Sequence, residues 1–492
     1  MKFNSKIRPI CAKDIADRHP GNMRTQSDMD YALVGNKILK RVQQYQFMDL
    51  DLEAVREIVL KLTLYFEDVV SDLGIWRSFT SWCREHYGRY LPFYEVDDSE
   101  YHQDEPHLQD CMLITWCAFT DIIPQGIHYP FNKLIVTLST EAFTVMDEEF
   151  ENVAINEELK TFFQKADFTN DFYNQRAMLQ WLLFGCYLTH TFENNHILEQ
   201  YEADFSNWSQ SQRSYAAMCK VVYNQKTGPL ALYAKDYLAM ILDANGCQRQ
   251  SRKVSEQEHL KADLYKILSV KSSSISLKSV QGRKLEIPRD SFNEEMPWDI
   301  VKYIVASFVK YGSCWNLNGM MSNTDEATFL QEEKRFNETY EGTPNYKHLI
   351  ELSGGSPLFY FSNKKTYIDF LKQEVGIPSD ILLSVTKSLK DQPSRDDVTL
   401  FLEGEYNPIA MAFDVAKCIK DDRNPMYDKS FAEQNALAKT FDMSDTMVKY
   451  LVSNNMLPDA QFRTYPGEGV DGQELLHSNF DFFLRATRGN NY

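Results

Sequence analysis

One segment of thirty residues, from Tyr65 to Tyr94, constrains this chain most, because nine of them are aromatic. Such a density is typical of either a buried helical core or a recognition surface. Just before and within it, apolar residues recur at i, i+3, i+4 and i+7 along residues 51–70 and predict an amphipathic helix. After a break at 71–74 the helical spacing resumes and ends before Pro92, which predicts a helical hairpin or a kinked pair.

The length and composition predict a folded protein of two or three domains. The chain has 492 residues, of which 43% are hydrophobic and 13% aromatic, which is ample for packed interiors. Its net charge of −18 comes from 70 acidic against 52 basic residues. Such a field repels phosphate backbones, so nonspecific nucleic-acid binding is disfavoured, although a local basic groove remains open.

The chain shows no sign of export or membrane insertion. Residues 1–22 lack the apolar stretch of a secretion signal, and no run of 18 apolar residues occurs. The nine cysteines are scattered and form no CxxC pair, which favours reduced thiols and argues against structural zinc. We therefore expect a cytoplasmic protein without a membrane partner, and no cofactor is predicted.

Periodicity predicts a mainly α-helical fold, with a multi-helix N-terminal domain and a smaller α/β-containing C-terminal part. Helical patterns run to about residue 265, and two alternating runs around Gly282 predict a β-hairpin within 275–287. We place a helical domain at 1–268, the hairpin or linker at 269–295, and an α+β domain at 296–492. Helices are expected at 298–311, 365–375, about 409–419 and from Phe431 onward, and strands at 358–361 and 398–402.

Four groups of residues, spread over nearly the whole chain, carry a family resemblance. They are Lys13-Asp14-Ile15 with His19-Pro20; Tyr65-Phe66-Glu67-Asp68 with Gly74-Ile75-Trp76; Tyr87-Gly88-Arg89-Tyr90-Leu91-Pro92-Phe93-Tyr94; and Asn424-Pro425-Met426-Tyr427-Asp428 with Leu457-Pro458-Asp459-Ala460. In their order they resemble an uncharacterised bacterial protein family without an assigned activity. The resemblance implies an intracellular bacterial protein and supplies no catalytic residue.

The arginines among the aromatics suggest a partner-binding surface. Arg77 and Arg84 are seven residues apart and share a helix face, while Arg89 follows and Trp76 precedes them. Arginine beside Trp and Tyr can grip a protein partner or stack on bases. The alternative is that the aromatics form the core and the arginines its solvated edge.

A metal site is the second possibility. Glu193 and His196 form an ExxH pair on a predicted helix, with His190 nearby, and Glu474 and His477 form another. The i, i+3 spacing places both ligands on one helix face, as in di-iron helical bundles. The segment 95–110, with seven carboxylates and two histidines, offers further ligands, or is simply a solvated connector.

Two further motifs are read as structural. The GxGxxG at Gly467, Gly469 and Gly472 follows no buried strand, so it predicts a surface turn and not a dinucleotide site. Cys314 lacks a neighbouring histidine in the sequence and is expected to be buried and inert.

These patterns favour a noncatalytic interaction or regulatory protein that binds another protein. The alternative is a metal-dependent enzyme with a His/Glu site at His190, Glu193 and His196 in a helical bundle. A nucleic-acid binder is the third class, and it would need an arginine groove strong enough to overcome the net charge of −18.

Overall fold

The structure is a computed structural model that describes residues 7–45, 51–123, 128–204, 209–292, 297–298, 300–339, 346–377, 379–390, 397–404, 409–457, 475 and 478–492. The chain divides into two units. The first unit comprises residues 1–333 with 481–490, and the second unit comprises residues 334–480 with 491–492. Among the described residues, no helix combines the length and the apolar character needed to cross a membrane.

The first unit begins with helices, as their periodicity predicts. They are α1 Ala12–Ala16, α2 Asp28–Val42, α3 Leu52–Ser71, α4 Ile75–Tyr87, α5 Leu108–Ile122, α6 Lys133–Glu149, α7 Glu157–Lys165, α8 Phe172–Phe184, α9 Phe192–Asp204, α10 Gln210–Asn224, α11 Ala234–Ala244 and α12 Gln248–Ser255. Two short strands, β1 Lys226–Thr227 and β2 Leu232–Tyr233, pair between α10 and α11.

The predicted helical hairpin is confirmed as α3 and α4. The backbone turns at Asp72 and Gly74, which have φ of 53° and 84°. Positive φ suits glycine and is tolerated by aspartate. The carboxylate of Asp68, inside α3, accepts from the backbone N–H groups of Ile75 and Trp76 at 3.1 and 2.6 Å. The first turn of α4 is therefore capped by the preceding helix and not by a residue of the turn.

The C-terminal helix, Phe480–Arg488, contributes residues to the core of the first unit. The ring of Phe482 is 1% exposed and lies 5.5 Å from Phe93 and 6.1 Å from Trp116, centroid to centroid. It also lies 6.4 Å from Phe79. The aromatic segment of the hairpin therefore closes around a side chain that is almost four hundred residues later in the chain.

An antiparallel sheet follows the helices of the first unit. Its strands are β3 Glu258–Val270, β4 Ser274–Ser279, β5 Lys284–Pro288, β6 Tyr303–Tyr311, β7 Cys314–Leu317 and β8 Ser322–Thr324. They are ordered β5-β4-β3-β6-β7, with β8 also on β6, and the sheet curls so that β5 approaches β7. The predicted hairpin is confirmed as β4 and β5, paired Ile275 with Ile287 and Leu277 with Leu285.

Two helix predictions in this region were wrong. The helix expected at 298–311 is absent, because residues 303–311 form strand β6. The helices were expected to continue to about residue 265, but strand β3 already begins at Glu258. Ile304, Ala306 and Phe308, spaced by two, face the sheet core, while Val309 is also buried. A strand covered on both faces shows no clean alternation, so its apolar residues matched the helical spacing by coincidence. Cys314 begins β7 and is exposed, not buried as expected.

The second unit combines helices with a three-stranded antiparallel sheet ordered β11-β10-β9. Its strands are β9 Leu358–Phe361, β10 Val398–Leu402 and β11 Ile409–Phe413, and its helices are α14 Tyr346–Leu352, α15 Lys364–Phe370, α16 Ser379–Lys390, α17 Lys429–Lys439 and α18 Asp445–Ser453. Helix α13 Glu326–Thr339 lies across the division between the units. The helix expected at 409–419 was wrong, because residues 409–413 pair with β10 along its length.

The fold class is confirmed as mainly α, with a smaller strand-containing part in the C-terminal half. The units divide after the curled sheet, at residue 334, so the bounds 1–268, 269–295 and 296–492 do not coincide with that division. Hydrogen bonds join sheet and helices within the first unit: Asn318, which follows β7, donates to the Cys219 carbonyl of α10 at 3.1 Å, and the Tyr311 hydroxyl of β6 donates to the Thr169 carbonyl between α7 and α8.

Candidate functional site

Trp76, one of the predicted partner-binding residues, lies inside the core of the first unit. It is 1% exposed, and its ring centroid lies 5.3 Å from that of Tyr65 and 5.0 Å from that of Phe79. A side chain with this burial offers no surface to another protein. The inclusion of Trp76 in a binding surface was therefore wrong, and the core interpretation of the aromatics applies to it.

The three arginines of the predicted surface have different surroundings. Arg77 is half-buried, pairs with Asp72 and donates to the Ala244 carbonyl at 2.7 Å, so it joins α4 to the end of α11. Arg84 is exposed, lies over the Tyr90 ring and pairs with Asp98 of the acidic segment 95–110 at 3.2 Å. Arg89 is half-buried. Of the four residues, Arg84 has the exposure that a protein contact requires, and its binding role stays a prediction.

The predicted metal ligands do not form a ligand set. His190 is buried, with Arg18 3.0 Å from its Nδ1 and the Asn195 amide nitrogen 3.1 Å from its Nε2. Burial, with the nearby cations of Lys61 and Arg18, lowers the pKa of His190 to about 3. A metal cation would meet the same repulsion.

The other predicted ligands are no better placed. His196 is exposed and contacts Gln200 at 2.8 Å, and Glu193 is exposed on α9. The metal site at His190, Glu193 and His196 was therefore wrong. The second pair, Glu474 and His477, lies outside the described residues, as does the GxGxxG at 467–472.

Among the described residues, one group of three histidine or acidic side chains converges within the span of a metal ion: His19, Asp28 and Glu67, all buried. His19 Nε2 lies 2.9 Å from a Glu67 oxygen, and its Nδ1 lies 2.9 Å from the Met23 carbonyl. A carbonyl can only accept, so Nδ1 carries a proton. Burial alone would lower the pKa of His19, but its hydrogen bond and charge interaction with Glu67 raise it overall.

The rest of this cluster is also hydrogen-bonded. Asp28 accepts from the Thr25 hydroxyl at 2.5 Å and from its backbone N–H at 3.1 Å. Glu67 accepts from the Asn156 amide at 2.7 Å, and Asn156 in turn caps α7 through the N–H of Leu159. With its donors and acceptors matched in this way, the cluster is best explained as a buried imidazolium with two carboxylates that ties the 19–28 segment to α3 and α7.

A second buried network surrounds α4. Asp110 accepts from the hydroxyls of Tyr65 and Tyr101 at 2.6 and 2.9 Å. Asp68 accepts from the Tyr187 hydroxyl at 2.7 Å, besides capping α4. Burial raises the pKa of Asp110 to about 7 and that of Asp68 to about 6, because these hydrogen bonds only partly offset the loss of water.

We expect the Asp110 carboxyl to make the first unit less stable as pH rises. Its pKa is about 7 when folded against a usual 3.8, so the folded state binds the proton more tightly. Its contribution is fully present below pH 3.8 and is lost as pH rises through about 7. Urea unfolding from pH 4 to pH 8 should show that Asp110→Asn gains stability relative to the unsubstituted protein as pH rises. A constant difference between the two would contradict this expectation.

The first unit also contains a basic cleft, formed between α12 and the turn that joins β6 to β7. Its volume is about 560 Å³, within the range of roughly 300–1,000 Å³ typical of small-molecule sites. It is lined by Gln248, Arg249, Arg252, Lys253, Glu256, Lys310 and Gly312. Four of these seven residues are cationic and one is acidic, although the chain as a whole carries −18.

The fold brings these cations together from two elements. Arg249, Arg252 and Lys253 are spaced i, i+3 and i+4 on α12, so they share one helix face. Lys310 comes from β6, where it pairs in register with Glu258 of β3. Sequence spacing could have identified the three residues on α12, but no local signal places Lys310, some sixty residues later, beside them.

Lys253 is held in place before any ligand arrives. Its Nζ donates to the Thr169 carbonyl at 2.9 Å and lies 4.0 Å above the Tyr311 ring. Burial and the neighbouring charge of Arg249 lower the pKa of Lys253. Gly312, with φ of 62°, forms the turn opposite, where an added Cβ would lie 3.4 Å from the Lys253 chain. Glycine is favoured at this turn because of its positive φ.

The acidic groups near the cleft leave most of its positive charge uncompensated. Glu256 lines the cleft, and Asp171 is near enough to act on Lys253. Glu258 pairs with Arg283 at 2.7 Å and also lies near enough to Lys310 to interact with its charge. Within the described part of the chain, the guanidinium groups of Arg249 and Arg252 form no ion pair. The cleft is thus prepared to receive an anion.

Comparison with known proteins gives one match. A family model described as a protein of unknown function (DUF3843) matches residues 9–268 and 300–488. No curated protein and no solved structure matches the chain. The match confirms the expected membership of an uncharacterised family, while the bacterial origin stays a prediction.

Proposed function

The chain belongs to the DUF3843 family of proteins of unknown function, and we propose that it is a noncatalytic binding protein that holds an anionic ligand in the basic cleft. One observation carries the proposal: Arg249, Arg252, Lys253 and Lys310 surround one cavity on a chain of net charge −18. Like charges held this close repel one another, and an anion removes that cost.

The lining supports binding and not chemistry. It offers guanidinium, ammonium and amide groups and the Glu256 carboxylate, but no serine, cysteine or histidine. The Lys253 ammonium, whose pKa is lowered, is held by the Thr169 carbonyl as a hydrogen-bond donor. The alternative of a metal-dependent enzyme loses its candidate ligands, since His190 lies beside two cations and His196 is exposed. A regulatory role, in which the ligand controls contact with another protein, fits this site better.

Other features of the chain support the proposed location and the proposed kind of partner. All nine cysteines are free thiols, which supports a reducing, cytoplasmic location. Nucleic acid is a poor ligand, because DNA-binding proteins neutralise roughly 6–10 phosphates and this cleft has four cations on an acidic chain. Another protein remains the proposed partner, and Arg84 is the exposed residue proposed to contact it.

Charge reversal tests the binding site. We expect sulfate, citrate or tripolyphosphate to raise the melting temperature of the first unit by roughly 2 °C or more at constant ionic strength, because only the folded state binds the anion. The double variant Arg249→Glu, Arg252→Glu should lose this shift. Arg289→Glu, an exposed arginine outside the cleft, serves as the matched control and should keep it. Identical shifts in all three proteins would show that the cleft is not the site.

A further inference from the structure

The basic cleft also limits the chemistry of its ligand. Resting on the proposed anion binding, we propose that the ligand is a compact molecule with two or more phosphate groups, and that the protein recognises these phosphates without reading a nucleobase.

The charge of the lining matches two phosphate groups. Among the lining residues themselves, four cations and Glu256 leave about three positive charges at a cavity of about 560 Å³. A phosphate monoester carries a charge of roughly −1.5 to −2 at neutral pH, so two phosphate groups would neutralise these positive charges. Carboxylates carry one charge each, and three or more would have to fit into the same space.

The cations approach from different directions. Arg249 and Arg252 project from α12, and Lys310 comes from β6 on the other element of the cleft. The oxygens of a phosphate point to the corners of a tetrahedron and can meet donors from several sides, whereas a carboxylate presents two oxygens in one plane. Guanidinium forks bind two oxygens at once, and an anchored lysine such as Lys253 adds a point charge.

The lining offers a nucleobase no aromatic ring to stack on. None of the seven lining residues is aromatic. Two rings of the adjoining strands β6 and β7 are already covered by cations: Lys253 lies over Tyr311, and Arg283 lies over Trp315 at 5.1 Å. The neutral donors and acceptors are the Gln248 amide and the backbone at Gly312, which suit a hydroxyl or a bridging oxygen between phosphates. The non-phosphate part of the ligand is therefore small and polar.

Titration calorimetry on the full chain tests the inference with tripolyphosphate, citrate and adenosine triphosphate as probes. We expect one tripolyphosphate per chain, bound about tenfold or more tightly than citrate. Adenosine triphosphate should bind no more tightly than tripolyphosphate, because its base finds no aromatic ring and the two arginines are engaged by phosphate. The double variant Arg249→Lys, Arg252→Lys keeps the charge but loses the guanidinium forks, so its tripolyphosphate affinity should fall about tenfold or more. Arg289→Lys is the control and should bind like the unsubstituted protein.

The outcomes separate the inference from the proposed function. Citrate binding as tightly as tripolyphosphate would overturn the phosphate preference and leave anion binding intact. Adenosine triphosphate binding about tenfold more tightly than tripolyphosphate would overturn the absence of base recognition. Failure of all three probes to bind, or binding that is unchanged in the charge-reversed variant Arg249→Glu, Arg252→Glu, would overturn the proposed function and this inference with it.

Discussion

Replacing Glu67 with alanine is expected to lower the free energy of unfolding of the first unit by about 3–5 kcal/mol. The change leaves the buried His19 imidazolium without its 2.9 Å partner and removes an acceptor from Asn156. Such losses are large because a buried charge has no water to replace its partner. Urea unfolding followed by tryptophan fluorescence measures the effect, and all seven tryptophans lie within residues 1–333, so the signal reports the first unit.

Glu53→Ala provides the matched control for this prediction. Glu53 lies on the same helix, α3, but in its exposed first turn. Its removal should cost less than about 1 kcal/mol. If Glu67→Ala costs no more than Glu53→Ala, the His19–Asp28–Glu67 cluster does not support the fold in the way its geometry indicates.

Trp76→Ala should destabilise the first unit by a similar amount, about 3–5 kcal/mol. The indole is 1% exposed and packs between Tyr65 and Phe79, so alanine leaves a cavity that close-packed neighbours fill only in part. The same unfolding measurement applies, with the loss of fluorescence of one tryptophan taken into account by a second probe such as circular dichroism.

Arg84→Ala is the control for Trp76→Ala and also the appropriate test of partner binding. Its exposed ion pair and ring contact should contribute less than about 1 kcal/mol to stability. A co-purifying protein lost in Arg84→Ala with the fold intact would support a binding role for this edge of α4. Equal stability of Trp76→Ala and Arg84→Ala would contradict the packing described for the indole.

The helices were predictable from the sequence where one face is apolar and the other polar. This pattern identified α3 and α4, and the glycine at 282 identified the hairpin of β4 and β5. Strand β6 was missed because both of its faces are covered, so its apolar residues lose the period of two that identifies a strand. Residues 409–413 were misread for a related reason, since a run of five residues contains too few repeats to separate the two periods.

The candidate site was less predictable than the fold. The cations of α12 share a helical spacing, but Lys310 reaches them only through the pairing of β6 with β3. His19 and Glu67 were present in the motifs that carry the family resemblance, yet nothing in their spacing of forty-eight residues indicates contact. Conversely, Glu193 and His196 have the sequence spacing of metal ligands but do not converge on a metal position with His190. The sequence does not show that the cations of Lys61 and Arg18 lie beside His190.

The return of the C-terminal helix to the first unit has a consequence for the order of events during translation. Phe482 occupies the centre of a ring cluster whose other members, Phe79, Phe93 and Trp116, are synthesised near the start of the chain. The ribosome must therefore deliver the whole second unit before this cluster can close. Until then the rings of Phe79, Phe93 and Trp116 lack the side chain against which they pack, so the nascent chain exposes apolar surface of the kind that chaperones bind.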